Sequence, residues 1–427
     1  MDISSKTADF IEKFRHEDVR RLAFLGDRYP DVDLPWALQQ IAGWQTACRK
    51  LPSWAATKGL VYPSHLSMEQ CSSEFTARYK RQVLESVVSP LQGEQVDGGW
   101  QLIDLTGGFG VDFSFMAPLF HQSVYVEKQP SLCQLAQHNF PLLGLDCFEV
   151  ICDDCESYLS AMSPCEQRVV FLDPARRDSH GARTYAVADC TPDVLRLREP
   201  LLEKCDWLLL KFSPMLDWHK AVADLEAGDD ADGQHVVRQI HIVSVQNECK
   251  ELLLLLSRKH RGGQQVFCVN DDVKFIFKPD DDATPPPVSP TFFDKDGLFL
   301  DSFTEERPAI FLYEPNASIM KAGCFSLLQQ RFNIAPIGVN SHLFISPDEI
   351  DDFPGRRFVV ETVASMNKKA LKTALAGVKN ANITVRNFPL SVAELRKRLK
   401  LGDGGETYIF ATTYGQREHL LFVCRKP

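Results

Sequence analysis

Between residues 101 and 278 short apolar runs alternate with longer amphipathic stretches, and this alternation constrains the chain more than any other feature. The runs are Leu102, Ile103 and Leu105, then Val124–Val126, Cys147–Ile151, Val169–Leu172, Trp207–Phe212, Ile240–Val245 and Val266–Val269. Runs this short and this apolar predict strands buried on both faces, with the helical stretches between them as right-handed crossovers. The expected class is α/β, with a mostly parallel sheet. The last stretch, QQVFCVNDDVKFIFKP, splits at Asn270-Asp271-Asp272 and predicts a hairpin closing the sheet edge.

The first strand runs into Asp104, Thr106, Gly107, Gly108, Phe109 and Gly110, and a helix VDFSFMAPLF follows. Strand, glycine turn and helix together bring backbone N–H groups up to a ligand at the carboxyl end of a sheet. The next strand ends carry Glu127, then Asp153 and Asp154, then Asp173, Pro174, Ala175, Arg176 and Arg177. In a doubly wound sheet these ends converge on one crevice. An acid after the second strand can accept from both ribose hydroxyls of a nucleoside, and one after the third from an adenine amino group. A dinucleotide turn reads G-x-G-x-x-G, whereas residues 107–112 read GGFGVD and lack the third glycine. Taken singly, each position also has a plain reading. Glu127 is then a cap or solvated acid, and Asp153-Asp154 an N-cap pair.

With 427 residues, 44% hydrophobic and 24% charged, the composition is that of a globular protein of two to four domains. The densest apolar run, LLLLL at 252–256, is too short to span a bilayer and is flanked by Glu251 and Arg258. The N-terminal MDISSKTADFIEKF lacks the order of a signal peptide. Thirteen scattered cysteines suit reduced thiols and a cytoplasmic location. Cys147, Cys152 and Cys155 come nearest to metal spacing, but no His pair follows, so no metal is expected. The net charge of −10 is uneven: residues 355–427 carry 14 Lys and Arg against 5 Asp and Glu, or +9, which leaves −19 on the rest. A basic end on an acidic body suggests an anionic partner, with a merely solvated face as the alternative.

Residues 1–90 are expected to be helical, punctuated by Pro30, Pro35, Pro52 and Pro63. In the helix after Ser72-Ser73-Glu74, Arg78, Lys80 and Arg81 could touch a phosphate backbone or form its wet side. Residues 91–278 form the α/β core, and PDDDATPPPVSP at 279–290 is a linker. Residues 291–352 contain a strand FLYEPN, a helix ASIMKAGCFSLLQQRF and a further strand in GVNSHLFIS. Residues 353–427 read as strand, helix, strand, helix and a β pair.

The D-x-T-x-G-x-G form at 104–110 resembles the first motif of class I S-adenosylmethionine-dependent methyltransferases, particularly RNA-modifying ones. The resemblance implies a Rossmann-like core with a mostly parallel seven-stranded sheet. It implies cofactor contacts from Asp104, Thr106, Gly107, Gly108, Gly110, Glu127, Asp153, Asp154 and Asp173, and a reacting end at Asp173, Pro174 and Arg176. D-P-A-R lacks the aromatic ring of the [DN]-P-P-[YF] forms that methylate exocyclic amines. Cys190 is the candidate nucleophile for attack on pyrimidine carbon, or else a buried thiol. SSEFTARYK, DLTGGFG, LDPARRD, YEPNASIMKAG, FPGRRF and RNFPLSVAELRKRLKLGDGGETYIFAT resemble, over nearly the whole chain, a bacterial methyltransferase family common in Bacteroidetes. Its members carry a ferredoxin-like domain and a C-terminal THUMP-like domain.

By analogy with RNA-binding THUMP domains, the expected phosphate contacts are Lys368, Lys369, Lys372, Arg386, Arg396, Lys397, Arg398 and Lys400. Arg177, Arg183 and Lys211 would border the pocket. The expectation is a cytoplasmic S-adenosylmethionine-dependent methyltransferase acting on structured RNA, tRNA or rRNA, with no membrane and no obligate protein partner. The alternatives are a non-catalytic RNA-binding protein that keeps a nucleoside pocket, and a methyltransferase acting on protein or a small molecule.

Overall fold

The computed structural model describes residues 4–89, 99–176, 186–227, 235–260, 262–283, 309–338, 340–414 and 418–427. The chain divides into two compact units, Met1–Val243 with Lys250–Gln264, and Ser244–Cys249 with Gln265–Pro427.

Most of the α/β core lies in the first unit. Its strands follow the apolar runs: β1 Gln101–Asp104, β2 Gln122–Val126, β3 Phe148–Ile151, β4 Arg168–Leu172, the short pair β5 Ala175–Arg176 and β6 Cys190–Thr191, then β7 Trp207–Phe212, β8 Val237–Val245 and β9 Glu248–Leu256. β10 Gln265–Asn270 and β11 Val273–Phe277 follow. The sheet order is β11-β10-β8-β9-β7-β4-β1-β2-β3. β3, β2, β1, β4 and β7 run parallel, in the order of a doubly wound fold, so the topological switch falls between β1 and β4.

Seven mostly parallel strands were expected; the sheet has nine and is mixed. The main cause is the pentaleucine, which is not a core helix or a loop but part of β9, antiparallel to β7, with Leu252–Leu256 wholly buried. β8 turns into β9 through Gln246 and Asn247, both at positive φ (51° and 61°), as a two-residue hairpin requires. β10 and β11 form the expected antiparallel hairpin at the edge.

The N-terminal segment is helical, including Leu34–Lys50, Pro52–Ala56, His65–Gln70 and Glu74–Val88. Its Trp54, Tyr62, Met68 and Ala77 share a core with Phe109 and Val111 of the glycine-turn segment. Trp54 meets Phe109 edge-on, ring centroids 4.8 Å apart. The helices are therefore built onto the turn. Among the described residues no helix is long and apolar enough to cross a membrane.

The second unit carries a seven-stranded sheet of β12 Ile310–Pro315, β13 Ala335–Pro336, β14 Phe344–Ser346, β15 Gly355–Ser365, β16 Asn380–Arg386, β17 Gly402–Tyr414 and β18 Glu418–Arg425. Its order is β13-β14-β12-β15-β18-β17-β16. The single helix expected over ASIMKAGCFSLLQQRF is two, Ala317–Ala322 and Phe325–Phe332, because Gly323 takes a left-handed C-cap at φ 77°. Helices Lys368–Ala374 and Val392–Leu399 pack Leu371, Leu395 and Leu399 over Ile409, Ala411 and Leu421.

Candidate active site

A cavity of about 740 Å³ opens at the carboxyl ends of the parallel strands. Asp104, Thr106, Gly107, Gly108, Gly110, Glu127, Asp153, Asp154, Asp173, Pro174 and Lys211 all line it. So do Ser67, Cys71 and Ser72 from the N-terminal helices, which the sequence offered no reason to place there.

The glycine turn is held from below. Tyr125 lies under it and its hydroxyl donates to the Gly108 carbonyl at 2.5 Å. A Cβ on Gly107 would sit 2.1 Å from the Tyr125 ring. One on Gly110, itself at φ 84°, would sit 2.7 Å from Phe140. Sterics at 107, and both sterics and backbone at 110, demand glycine. Glu127 is more than a lone acid at a strand end. Its carboxylate accepts from Gly108 N at 2.9 Å and from Gln129 N at 2.9 Å, and so fastens the turn to the end of β2. Thr106 links β1 to β4: its amide donates to Asp104 at 3.0 Å, and its hydroxyl accepts from Asp173 N at 2.7 Å.

Asp154 is the N-cap of helix Cys155–Ala161, with its Oδ1 accepting from Glu156 N at 2.9 Å, and Asp153 accepts from Asp154 N at 2.8 Å. The plain capping reading therefore holds for Asp154 alongside its place on the cavity wall, with Asp153 bracing the cap residue's own amide. Burial lifts the Asp104 carboxyl well above the usual carboxylate range; the Thr106 amide opposes this, while Asp112, Asp173 and Glu127 add to it.

The reacting end expected at Asp173 holds a cation. Lys211 Nζ lies 2.5 Å from Asp173 Oδ2 and 3.4 Å from Asp112 Oδ2. Burial alone would lower the Lys211 ammonium, but Asp173, Asp112 and Glu251 outweigh it and hold it well above the usual lysine range. Asp112, Ser72, Lys80 and Glu251 form the layer behind this pair and escaped the sequence reading. Their contacts span from 32 residues of sequence (Lys80 to Asp112) to 171 (Lys80 to Glu251), which no local pattern reports. Lys80, read as a possible phosphate contact or wet-side residue, is instead fully buried. Cys190 lines the cavity as a buried thiol on β6.

Arg177 and Arg183 lie outside the described residues, and of Arg176 only the backbone, paired in β5 with Cys190, is described. In the second unit, Lys368, Lys369, Lys372, Lys397 and Arg398 are exposed on two helices, and Lys400 is exposed at the C-cap of the second. Arg386 and Arg396 are engaged internally. Arg386 meets Glu314 at 3.0 Å, beside Arg356; Arg396 meets Asp403 at 2.6 Å and the Gly402 and Ala381 carbonyls. Among the described residues no cluster of three or more His, Cys, Asp or Glu is placed to hold a metal.

Residues 311–354 match a family model for a ferredoxin-like domain, and residues 355–426 one described as THUMP domain-like. No curated protein matches the chain. Among solved structures, the "putative methyltransferase" of Porphyromonas gingivalis W83 is 29% identical, covers 100% of this chain with 99% of its own, and superposes with a TM-score of 0.78. An rRNA methylase from Streptococcus thermophilus (18% identical, 42% of this chain and 94% of that one, TM-score 0.30) also matches. So does a SAM-dependent methyltransferase from Agrobacterium tumefaciens (15%, 47% and 66%, TM-score 0.32). The last two are too distant to carry weight. The chain thus joins a Rossmann-like, class I methyltransferase-type core to a ferredoxin-like and a THUMP-like domain, and is similar over its whole length to the Porphyromonas gingivalis protein.

Proposed function

We propose that this protein transfers the methyl group of S-adenosylmethionine to structured RNA, tRNA or rRNA, with the exposed cations of the second unit supplying RNA affinity. The observation that carries the reading is the convergence of the glycine-rich turn at 107–110, Glu127, the Asp153-Asp154 pair and Asp173 on one cavity. These residues fit the cofactor. Gly108 has open space where a side chain would project, with its nearest neighbour 3.8 Å away, and the acids offer acceptors for ribose hydroxyls and an adenine amine. When bound, the cofactor supplies an electrophilic methyl on a sulfonium centre. What the chain supplies is alignment. Glu127, fixed by two backbone amides, holds the ribose; Asp153 or Asp154 meets the adenine; Asp173, Pro174 and Arg176 border the acceptor, and Arg177 and Arg183 contact its phosphates.

Titration calorimetry with S-adenosylmethionine tests the first half. Binding is expected in the full-length protein and, on loss of the carboxylate in Glu127→Ala, a weakening of about 10- to 100-fold. No binding by the wild type would sink the reading. Mass spectrometry of nucleosides from total RNA of a deletion strain and its parent tests the second half. One methylated nucleoside should be missing from the deletion strain. Cofactor binding with an unchanged nucleoside profile would favour a protein or small-molecule acceptor, or a non-catalytic protein with a nucleoside pocket.

A further inference from the structure

A line of five alternating charges runs from the interior of the first unit to the cavity. Lys80, on helix Glu74–Val88, is 0% exposed; its Nζ lies 2.7 Å from both carboxylate oxygens of Glu251 and 3.2 Å from Asp112 Oδ1. Asp112 also accepts from the Ser72 hydroxyl at 2.7 Å and lies 3.4 Å from Lys211 Nζ. Lys211 closes on Asp173 at 2.5 Å, and Asp173, 36% exposed, faces the cavity. Anchoring a helix needs no such arrangement, since apolar side chains of similar volume do that without desolvating charge.

The distances show what the arrangement accomplishes. Asp112 is shared by two lysines, and Lys211 sits 0.9 Å nearer to Asp173 than to Asp112. Lys80 pairs with Asp112 from behind and leaves Lys211 to Asp173. Without Lys80, Asp112 would keep Lys211 as its one ammonium partner, and the flexible lysine stem would let it be drawn back from the cavity. We propose that Lys80 is a positioning residue: through Asp112 it sets where Lys211 stands, and through Lys211 it fixes the Asp173 carboxylate at the reacting end. Its effect on turnover rests on the methyl-transfer reading above, whereas its effect on Lys211 rests on the geometry alone.

The test uses the full-length chain with Lys80→Met and Glu251→Gln together, which removes one charge of each sign and strands neither. Transfer of labelled methyl to total RNA from cells lacking the protein is expected to fall about 100-fold, the scale of an ångström-sized misplacement. S-adenosylhomocysteine affinity should change by less than about 3-fold, because the acids and glycines that hold it are untouched. Adding Asp112→Asn should restore most of the transfer by removing the pull on Lys211. A merely structural role predicts the reverse, a deeper loss with the third substitution, and that result overturns the proposal.

A readout that needs no acceptor is the rate at which acetic anhydride labels Lys211, followed by mass spectrometry. Asp173→Asn should speed labelling in the wild-type background and do so less in the Lys80→Met/Glu251→Gln background; equal effects overturn the proposal. If the pair does not fold, Ser72→Ala loosens Asp112 more gently and should shrink the Asp173→Asn effect in the same way, and no change refutes it. If the wild type labels no RNA, the RNA reading falls, while the Lys211 labelling still decides the role of Lys80.

Discussion

Asp104 ends β1 with its carboxyl almost wholly out of solvent, and the hydrogen bond it accepts from the Thr106 amide does not offset the burial. A carboxyl raised in the folded state favours folding while it is protonated. That contribution is complete below the unfolded value of about 4 and is lost as pH rises towards the folded value. Asp104→Asn keeps an oxygen for the Thr106 amide and cannot ionise. Urea unfolding of the two proteins at pH 4 and pH 7 should therefore show the asparagine variant gaining on the wild type at the higher pH. Parallel behaviour at both pH values would mean that the cavity is wetter around Asp104 than its burial indicates. Glu127 contrasts with it. Its two backbone donors fix the carboxylate in place at the end of β2, so the two acids at neighbouring strand ends are held in different ways.

Helix Cys155–Ala161 lets a capping role be separated from a binding role on one side chain. Asn caps as well as Asp, whereas Ala removes the cap at a cost of about 1 kcal/mol. Asp154→Asn is expected to leave stability unchanged and to weaken S-adenosylmethionine about 3- to 10-fold by removing a charged acceptor; Asp154→Ala should lose both. If the asparagine variant binds as tightly as the wild type, Asp154 is a cap and no more.

The strand ends carrying these acids were legible because each parallel strand is a bounded apolar run and each run ends at a polar residue. β9 was not, since five consecutive leucines carry no periodicity that separates a buried strand from other buried segments. The break at Gly323 and the burial of Lys80 were missed for different reasons. The first depends on a left-handed cap that glycine permits but does not announce. The second depends on Glu251, 171 residues away, turning a cation on an apparently wet helix face into a core residue.

At the scale of the whole molecule, the +9 of residues 355–427 against −19 elsewhere is a statement about association, not about fold. The described residues divide the expected phosphate contacts into two sets. Arg386 and Arg396 spend their guanidinium groups on Glu314, Asp403 and backbone carbonyls, while Lys368, Lys369, Lys372, Lys397, Arg398 and Lys400 stand exposed. Substitution in the two sets should therefore fail differently. Replacing Lys397, Arg398 and Lys400 by alanine should weaken binding to all RNA sequences alike and lower the slope of log affinity against log salt by about 2 to 3, one ion release per lost phosphate contact. Arg396→Ala should instead lower the thermal midpoint, because it uncaps the Ala381 and Gly402 carbonyls, and should leave the salt slope nearly unchanged. Filter binding across a salt series, with circular-dichroism melts of the same variants, distinguishes the two. A triple variant with an unchanged salt slope would show that this exposed face is only solvated, and the RNA contact would then have to be sought on the other exposed lysines.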